Sequence, residues 1–424
     1  MKPALENLFT QTKGLWARGF FHLAVSNYSV QFIVFASHLL IAKIMSPDDV
    51  GVIKSIETLT GIAVVLGGGG AIFAILKLIP ENADKKIRRF LLSHSIRYTL
   101  VYSVGISLLF CLLVYLGWLS DNPKHDRWFY LYACVIIPTV LTQLLIRYYQ
   151  AIDFFKRIST VILYLKMASA VIVLGFTYYF FINGYIISTI LTSGLSVLIL
   201  LIDLRRDLTS TSKEAFTSLK KQFNSLSNTA FTSQIVDQLK LNSGFLIAYI
   251  LIADQFEFGL YAFALILVQG MNVLVSSVQQ FLIPKMSETS QNLKVFFTRY
   301  AVFEKKFNWI SIGLFAMAQL FIPVLVAVVY GDKFDEAIVL LRIMLIGWLI
   351  QGFFSLKGII FLSLGKMRYI LYASSLILLI SAPAMYYLTW EYGAAGAAWS
   401  YVLQNVVSLG CLTFFEKKLV KKFV

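Results

Sequence analysis

Charge is what this sequence has least of. Only 14% of its 424 residues are Asp, Glu, Lys or Arg, where a water-soluble domain carries about 25%. With 58% hydrophobic residues and a mean hydropathy of +0.75, the chain has no polar shell for soluble domains. Cysteine is scarce too. Cys111, Cys134 and Cys411 each sit in an apolar run, which predicts buried thiols and excludes a disulfide-stapled scaffold. His22, His38, His94 and His125 are scattered, so no metal-ligand spacing exists and no Ser-His-Asp arrangement can be argued. A phosphate loop is missing as well, since Gly365-Lys366-Met367 fails the G-x-x-x-x-G-K-[ST] pattern on both sides. ATP hydrolysis by this chain is excluded, no cofactor is expected, and an enzyme reading is poor. The opening MKPALENLFTQTKGLWARGF is too polar for a secretory signal, so the first apolar segment is expected to be a retained helix.

What the sequence does hold is apolar runs of membrane-spanning length. They read as Phe20–Met45, Val50–Ile79, Tyr98–Leu119, Trp128–Ile146, Ile158–Ile182, Gly184–Ile202, Leu226–Ile252, Phe258–Ile283, Phe307–Val329, Ala337–Leu362, Tyr369–Trp390 and Gly393–Phe415. The fold class is therefore all-α: a polytopic membrane protein with twelve transmembrane helices. The fifth and sixth are parted only by the turn dipeptide Asn183-Gly184, and Pro138, Pro323 and Pro383 are expected to kink their spans.

The net charge of +15 follows this topology and implies no nucleic-acid partner. With the N-terminus inside, 27 of the 37 basic residues fall in inner segments. The outer loops hold only Lys43, Lys124, Arg127 and Lys333. The positive-inside rule then places both termini in the cytoplasm.

An internal repeat is visible. SPDDVGVIKSI ending in KLIPE answers to ADQFEFGLYAFA ending in FLIPKMSE, with Gly51 matching Gly259 and Leu78-Ile79-Pro80 matching Leu282-Ile283-Pro284. Both copies run from outside to inside. This predicts two six-helix lobes, residues 1–202 and 225–424, related by an axis along the membrane normal. The basic stretch 203–224 is the linker between them.

Six basic residues fall within spans: Lys54, Lys77, Lys166, Lys240, Arg342 and Lys357. The acids there are Glu57 and Asp237. A charge at the bilayer centre costs at least ~2.5 kcal/mol, so it is hidden or paired. Lys77, Lys357 and Arg342 lie near helix ends and can snorkel; Lys166 and Lys240 are deepest. Lys54 with Glu57, and Asp237 with Lys240, stand three apart and share a helix face. Each pair reads either as a neutralised bridge or as a gate whose lysine exchanges its carboxylate for a substrate anion. Polar stripes join them: Asn27, Gln31 and His38 on the first helix, Gln269, Asn272, Ser276 and Gln279 on the eighth. They fit a water-filled cavity better than a seam of interhelical hydrogen bonds. The run Gly67–Gly70 reads as close helix packing or a bend.

Ser46–Glu81 resembles the Wzx-type polysaccharide (O-antigen) flippases of the multidrug/oligosaccharidyl-lipid/polysaccharide exporter superfamily. The likeness is carried by the S-P-x-x-x-G turn, the glycine-rich second helix, and Lys77 followed by an apolar pair and Pro-Glu. The resemblance implies a MATE-like pair of lobes in a V, opening alternately to either side of a bacterial inner membrane. It implies an undecaprenyl-pyrophosphate-linked oligosaccharide as substrate, a proton or sodium ion as coupling partner, and a polysaccharide polymerase and chain-length regulator nearby. On that reading Lys54, Lys166 and Lys240, with Lys77 and Arg342, screen the diphosphate. Asn27, Gln31, Gln269 and Asn272 face the sugars, and Glu57 and Asp237 couple the ion. The alternatives are a drug/cation antiporter of the same fold and a membrane-embedded glycan polymerase or ligase.

Overall fold

A computed structural model describes residues 20–82, 84–120, 123–152, 154–205, 217–287, 293–364 and 367–423. Among the described residues the chain is helical and holds no strand. In order the helices are α1 (Phe20–Ile44), α2 (Pro47–Gly67), α3 (Ala71–Glu81), α4 (Lys85–Tyr115), α5 (Pro123–Ala133), α6 (Ile136–Ala151) and α7 (Phe155–Asp203). There follow α8 (Thr217–Leu251), α9 (Gln255–Ser287), α10 (Leu293–Tyr330), α11 (Asp335–Ser355), α12 (Lys357–Ser363) and α13 (Met367–Phe423).

These elements make twelve crossings once their breaks are read. At 1.5 Å per residue a straight α7 or α13 would run to roughly 75–85 Å, far beyond a ~30 Å hydrocarbon layer. Each instead turns back at one residue: Phe181 (φ 50°, ψ −133°) in α7 and Gly393 (φ 55°, ψ −132°) in α13. The turn in α7 thus falls at Phe181, ahead of the Asn183-Gly184 dipeptide. Gly184 serves a different end: a Cβ there would overlap the carbonyl oxygen of Phe176, and one on Gly396 would overlap that of Leu388. Each glycine stands three residues past its turn and meets the carbonyl eight residues back. The two turns are one motif used twice.

Three other spans are broken helices. α2 gives way to α3 at Gly69 and Gly70, both left-handed at φ 54° and 74°, a conformation open to glycine at little cost. α5 gives way to α6 at Cys134-Val135. Pro138 sits in the first turn of α6, where its missing N–H leaves no bond unmade. Cys134, expected inside, is exposed at this break. α11 gives way to α12 at Leu356.

The contacts divide the chain into two units. The first takes the described parts of Met1–Ser37 together with Ile56–Ile235. Its core joins Ile75 and Leu78 of α3, Leu91 and Leu92 of α4, Leu144 and Leu145 of α6, Ile158 and Leu200 of α7, and Phe223 of α8. Gly70 lies so close to α8 that a Cβ would overlap the carbonyl oxygen of Ser227. His94 bonds Asn224 at 3.2 Å, and the Tyr98 hydroxyl donates to Asn228 Oδ1 at 2.9 Å, tying α4 to α8.

The second unit takes His38–Ser55 and Val236–Val424. α9 is its axis, buried without interruption from Phe258 to Val268. The start of α2 packs on the start of α9, where a Cβ on Gly51 would stand 3.1 Å from Gly259 Cα. Phe263 stacks on Phe334 with centroids 4.0 Å apart. The end of α1 is capped from the α10 end: the Tyr330 hydroxyl donates to the Leu39 carbonyl at 2.9 Å, and Lys333 Nζ to that of Ala42 at 3.0 Å. The Ala42 carbonyl is among the last four of α1, which have no partner within the helix. At the turn in α13, Glu257 Oε1 accepts from the Ala394 N–H at 2.7 Å.

Candidate functional site

α8 is the least apolar of the long helices, and it carries the charged pair that the sequence singles out. Asp237 and Lys240 lie one turn apart, with Nζ 3.7 Å from Oδ1. Between them comes Ser374 from the first half of α13. Lys240 Nζ donates to Ser374 Oγ at 2.9 Å, and Ser374 Oγ donates on to Asp237 Oδ1 at 3.0 Å. The lysine therefore meets its carboxylate directly and through a hydroxyl. Gln404, from the second half of α13, donates to the Lys240 carbonyl at 2.7 Å and to Ser243 Oγ at 3.1 Å. The first half of α13 holds the charged side chains and the second half the α8 backbone behind them, yet the pair stays reachable, with 22% of Lys240 and 41% of Asp237 exposed.

Lys54, in the same unit, is a buried cation. It is 9% exposed and donates to Gln269 Oε1 at 2.8 Å. The glycine contact between α2 and α9 brings these two helices within reach. Nearby on α9, Asn272 is half-buried.

In the first unit Glu57 accepts from the Tyr185 hydroxyl, which stands 3.4 Å from that of Tyr132. The two rings stack at 6.2 Å with planes 9° apart. A carboxylate here faces a short chain of phenols, both buried.

The other candidates are placed more simply. Asn27 and Gln31 are half-buried on α1, and Lys166, Lys77 and Arg342 are exposed on α7, α3 and α11. The Arg342 carbonyl accepts from Gln319. Lys357, which could snorkel by its position near a helix end, does something else: it is 8% exposed and pairs with Glu304 and Glu416. The break at Leu356 turns it inward.

Ser374, Tyr132 and Tyr185 belong to these clusters and carried no signal of their own. A lone serine or tyrosine in an apolar span has no periodic mark. An ammonium group held by a hydroxyl and an exchangeable carboxylate, as Lys240 is, has the chemistry to take up phosphate oxygens without moving far. Among the described residues no group of acids, cysteines or histidines could hold a metal ion.

Residues 40–339, more than half of the chain, match the family described as "Polysaccharide biosynthesis protein". No curated protein matches by sequence. Among solved structures, a lipid II flippase MurJ in an inward closed conformation is similar with a TM-score of 0.75 at 14% identity, over 93% of this chain and 87% of that one. An inward-facing multidrug resistance MATE family transporter of the MOP superfamily gives 0.75 at 12% identity, over 93% and 95%. A MOP superfamily transporter from Pyrococcus furiosus gives 0.66 at 13%, over 95% of each chain. These likenesses show the fold: an all-helical, multi-pass membrane protein built as these transporters are.

Proposed function

This chain belongs to the polysaccharide biosynthesis protein family, and from that premise we propose that it is a flippase. Its substrate is an undecaprenyl-pyrophosphate-linked oligosaccharide, carried from the cytoplasmic to the outer leaflet of a bacterial inner membrane by alternating access. Both termini lie in the cytoplasm. The observation that carries the reading is Lys240, held by Asp237 and Ser374. A diphosphate entering beside α8 competes with Asp237 for the ammonium group. Lys54 and Lys166 add positive charge, and Asn27, Gln31, Gln269 and Asn272 offer amides to sugar hydroxyls. The released Asp237, and Glu57 with its tyrosines, take the coupling ion. The lipid tail stays in the bilayer, so the protein need not enclose it.

The test is flipping of a fluorescent lipid-linked oligosaccharide in proteoliposomes. Lys240→Ala is expected to lower the rate at least tenfold at matched protein, and Lys240→Arg to retain most of it. An unchanged rate in Lys240→Ala reduces the pair to a structural bridge. Export of cationic dyes without lipid flipping would establish the antiporter instead. The excess of lysine over carboxylate within the spans disfavours that outcome. A lipid-linked peptidoglycan precursor carries the same pyrophosphate, and offering it in the same vesicles separates the two substrates.

A further inference from the structure

One ionic cluster takes no part in the function proposed above. Lys357 Nζ stands 2.9 Å from Glu304 Oε1 and 2.6 Å from Glu416 Oε2. Three elements of one unit meet there: Glu304 from α10, Lys357 from the start of α12, Glu416 from α13. The side chains are 23%, 10% and 15% exposed. Two carboxylates share one ammonium, so the cluster carries a net charge of −1. A second carboxylate left uncompensated in a largely dry site is costly.

Two further observations bear on how that charge is met. The cluster sits where a membrane helix is interrupted, at Leu356 between α11 and α12, and interrupted helices are where transporters place coupling ions. The Ser355 carbonyl at the break is satisfied by Gln279 Nε2 at 2.7 Å, so the break is built in. Glu304 also lines a shallow surface hollow of about 270 Å³ along one face of α10, with Ala301, Lys305, Asn308, Trp309 and Ile312. Glu304 keeps 23% of its side chain exposed, so a proton can reach it, and Asn308 Oδ1 on the same face is buried without a hydrogen-bond partner.

We propose that Glu304, Lys357 and Glu416 form a proton site, at which one proton from water adds to a carboxylate oxygen and frees Lys357 from that carboxylate. No other bond is made or broken, and the ammonium stays with the second glutamate. A metal cation fits worse, because Lys357 already occupies the space between the carboxylates and would repel it. A proton neutralises the surplus charge without needing room. The charged and titratable neighbours are Tyr300, which donates to Glu304 Oε1 at 3.0 Å, Lys305 on the hollow's wall, and Lys417 beside Glu416. Both of these lysines are exposed, so water and salt screen them. From α9 and α11 come the amide of Gln279 and the carbonyl of Ser355, both neutral. Protonation loosens one of the two ties that hold α12 to α10 and α13, which makes the site a proton-operated release within this unit.

This inference does not rest on the flippase reading, and its test needs no transport. The purified full chain, in lipid nanodiscs, is titrated while the infrared C=O stretch of protonated carboxyl groups is recorded. The wild type is expected to keep one such band above about pH 6, where exposed carboxylates with a pKa of about 4 are ionised. Glu304→Gln and Glu416→Gln should each abolish it, since one glutamate with one lysine is already neutral. Lys357→Met should carry the band to still higher pH, and Lys357→Arg should leave it in place. A wild type without the band, or a band unaltered in both glutamine variants, overturns the proposal. So does a band lost on adding sodium at fixed pH, which would make this a sodium site. The two glutamine variants lie on different helices, so misfolding of one leaves the other to decide.

Discussion

Lys240 and Lys54 carry the same charge but answer to different neighbours, and that difference sets what their substitution does. Lys54 has Gln269 as a hydrogen-bond partner. Lys240 is bound by a carboxylate and by the serine that also serves that carboxylate. Ser374→Ala removes the relay and leaves the direct pair. A net hydrogen bond is worth about 1 kcal/mol, so flipping in proteoliposomes is expected to change about fivefold in that variant, less than in Lys240→Ala. The spacing of Asp237 and Lys240 was legible in the sequence because one helical turn is a local rule. Ser374 was not legible: it lies 134 residues away, and a serine among alanines and leucines announces nothing. Lys357 misleads in the same way, since nearness to a helix end permits snorkelling and only the break at Leu356 shows that the side chain turns inward. Gly70 offers a stability test at this scale. Its left-handed φ and its contact with the Ser227 carbonyl both oppose a side chain. Gly70→Ala should cost about 1–2 kcal/mol from the left-handed penalty alone, and more from the overlap with Ser227, read as a lowered melting temperature of the purified protein.

At the scale of elements the paired turns make a matched experiment. Phe181 and Gly393 hold nearly the same φ and ψ, yet only one of them is the residue that this region favours. A non-glycine residue held there stores about 1–3 kcal/mol. Phe181→Gly should therefore raise the thermal unfolding temperature and Gly393→Ala should lower it, measured side by side in the same detergent. Equal and unchanged values would show that the two turns are not equivalent. The sequence marked a turn here through Asn183-Gly184, two residues late, because Gly184 is present for close helix contact rather than for a positive φ. The break at Cys134-Val135 was hidden for a related reason: Pro138 reads as a kink, although at the start of a helix it disturbs nothing.

At the scale of the whole molecule, the twelve crossings were legible because a bilayer imposes length and hydropathy on every span alike. The division of contacts was less so. It runs through α1, α2 and α8, at Ser37, Ser55 and Ile235, while composition marks only the basic linker. Orientation is a matter of charge, and it can be checked directly. In a chain cleared of its native cysteines, Asp332→Cys is expected to react with an impermeant maleimide added outside intact cells. Lys421→Cys is expected to react only after the membrane is opened. The reverse pattern would overturn the assignment of sides.

The single-residue turns have a consequence for how the chain is made. A span followed by a long loop can leave the insertion machinery alone and wait for its neighbour. The halves of α7 share no loop, and neither do those of α13, where the Ala394 N–H is already bound by Glu257. Neither half can settle across the bilayer while the other remains in water, since the backbone between them has no slack. Each pair has to enter as a hairpin, so synthesis must run through most of a helix of 49 or 57 residues before any of it becomes stably embedded, more than twice the interval for an ordinary span of ~20 residues.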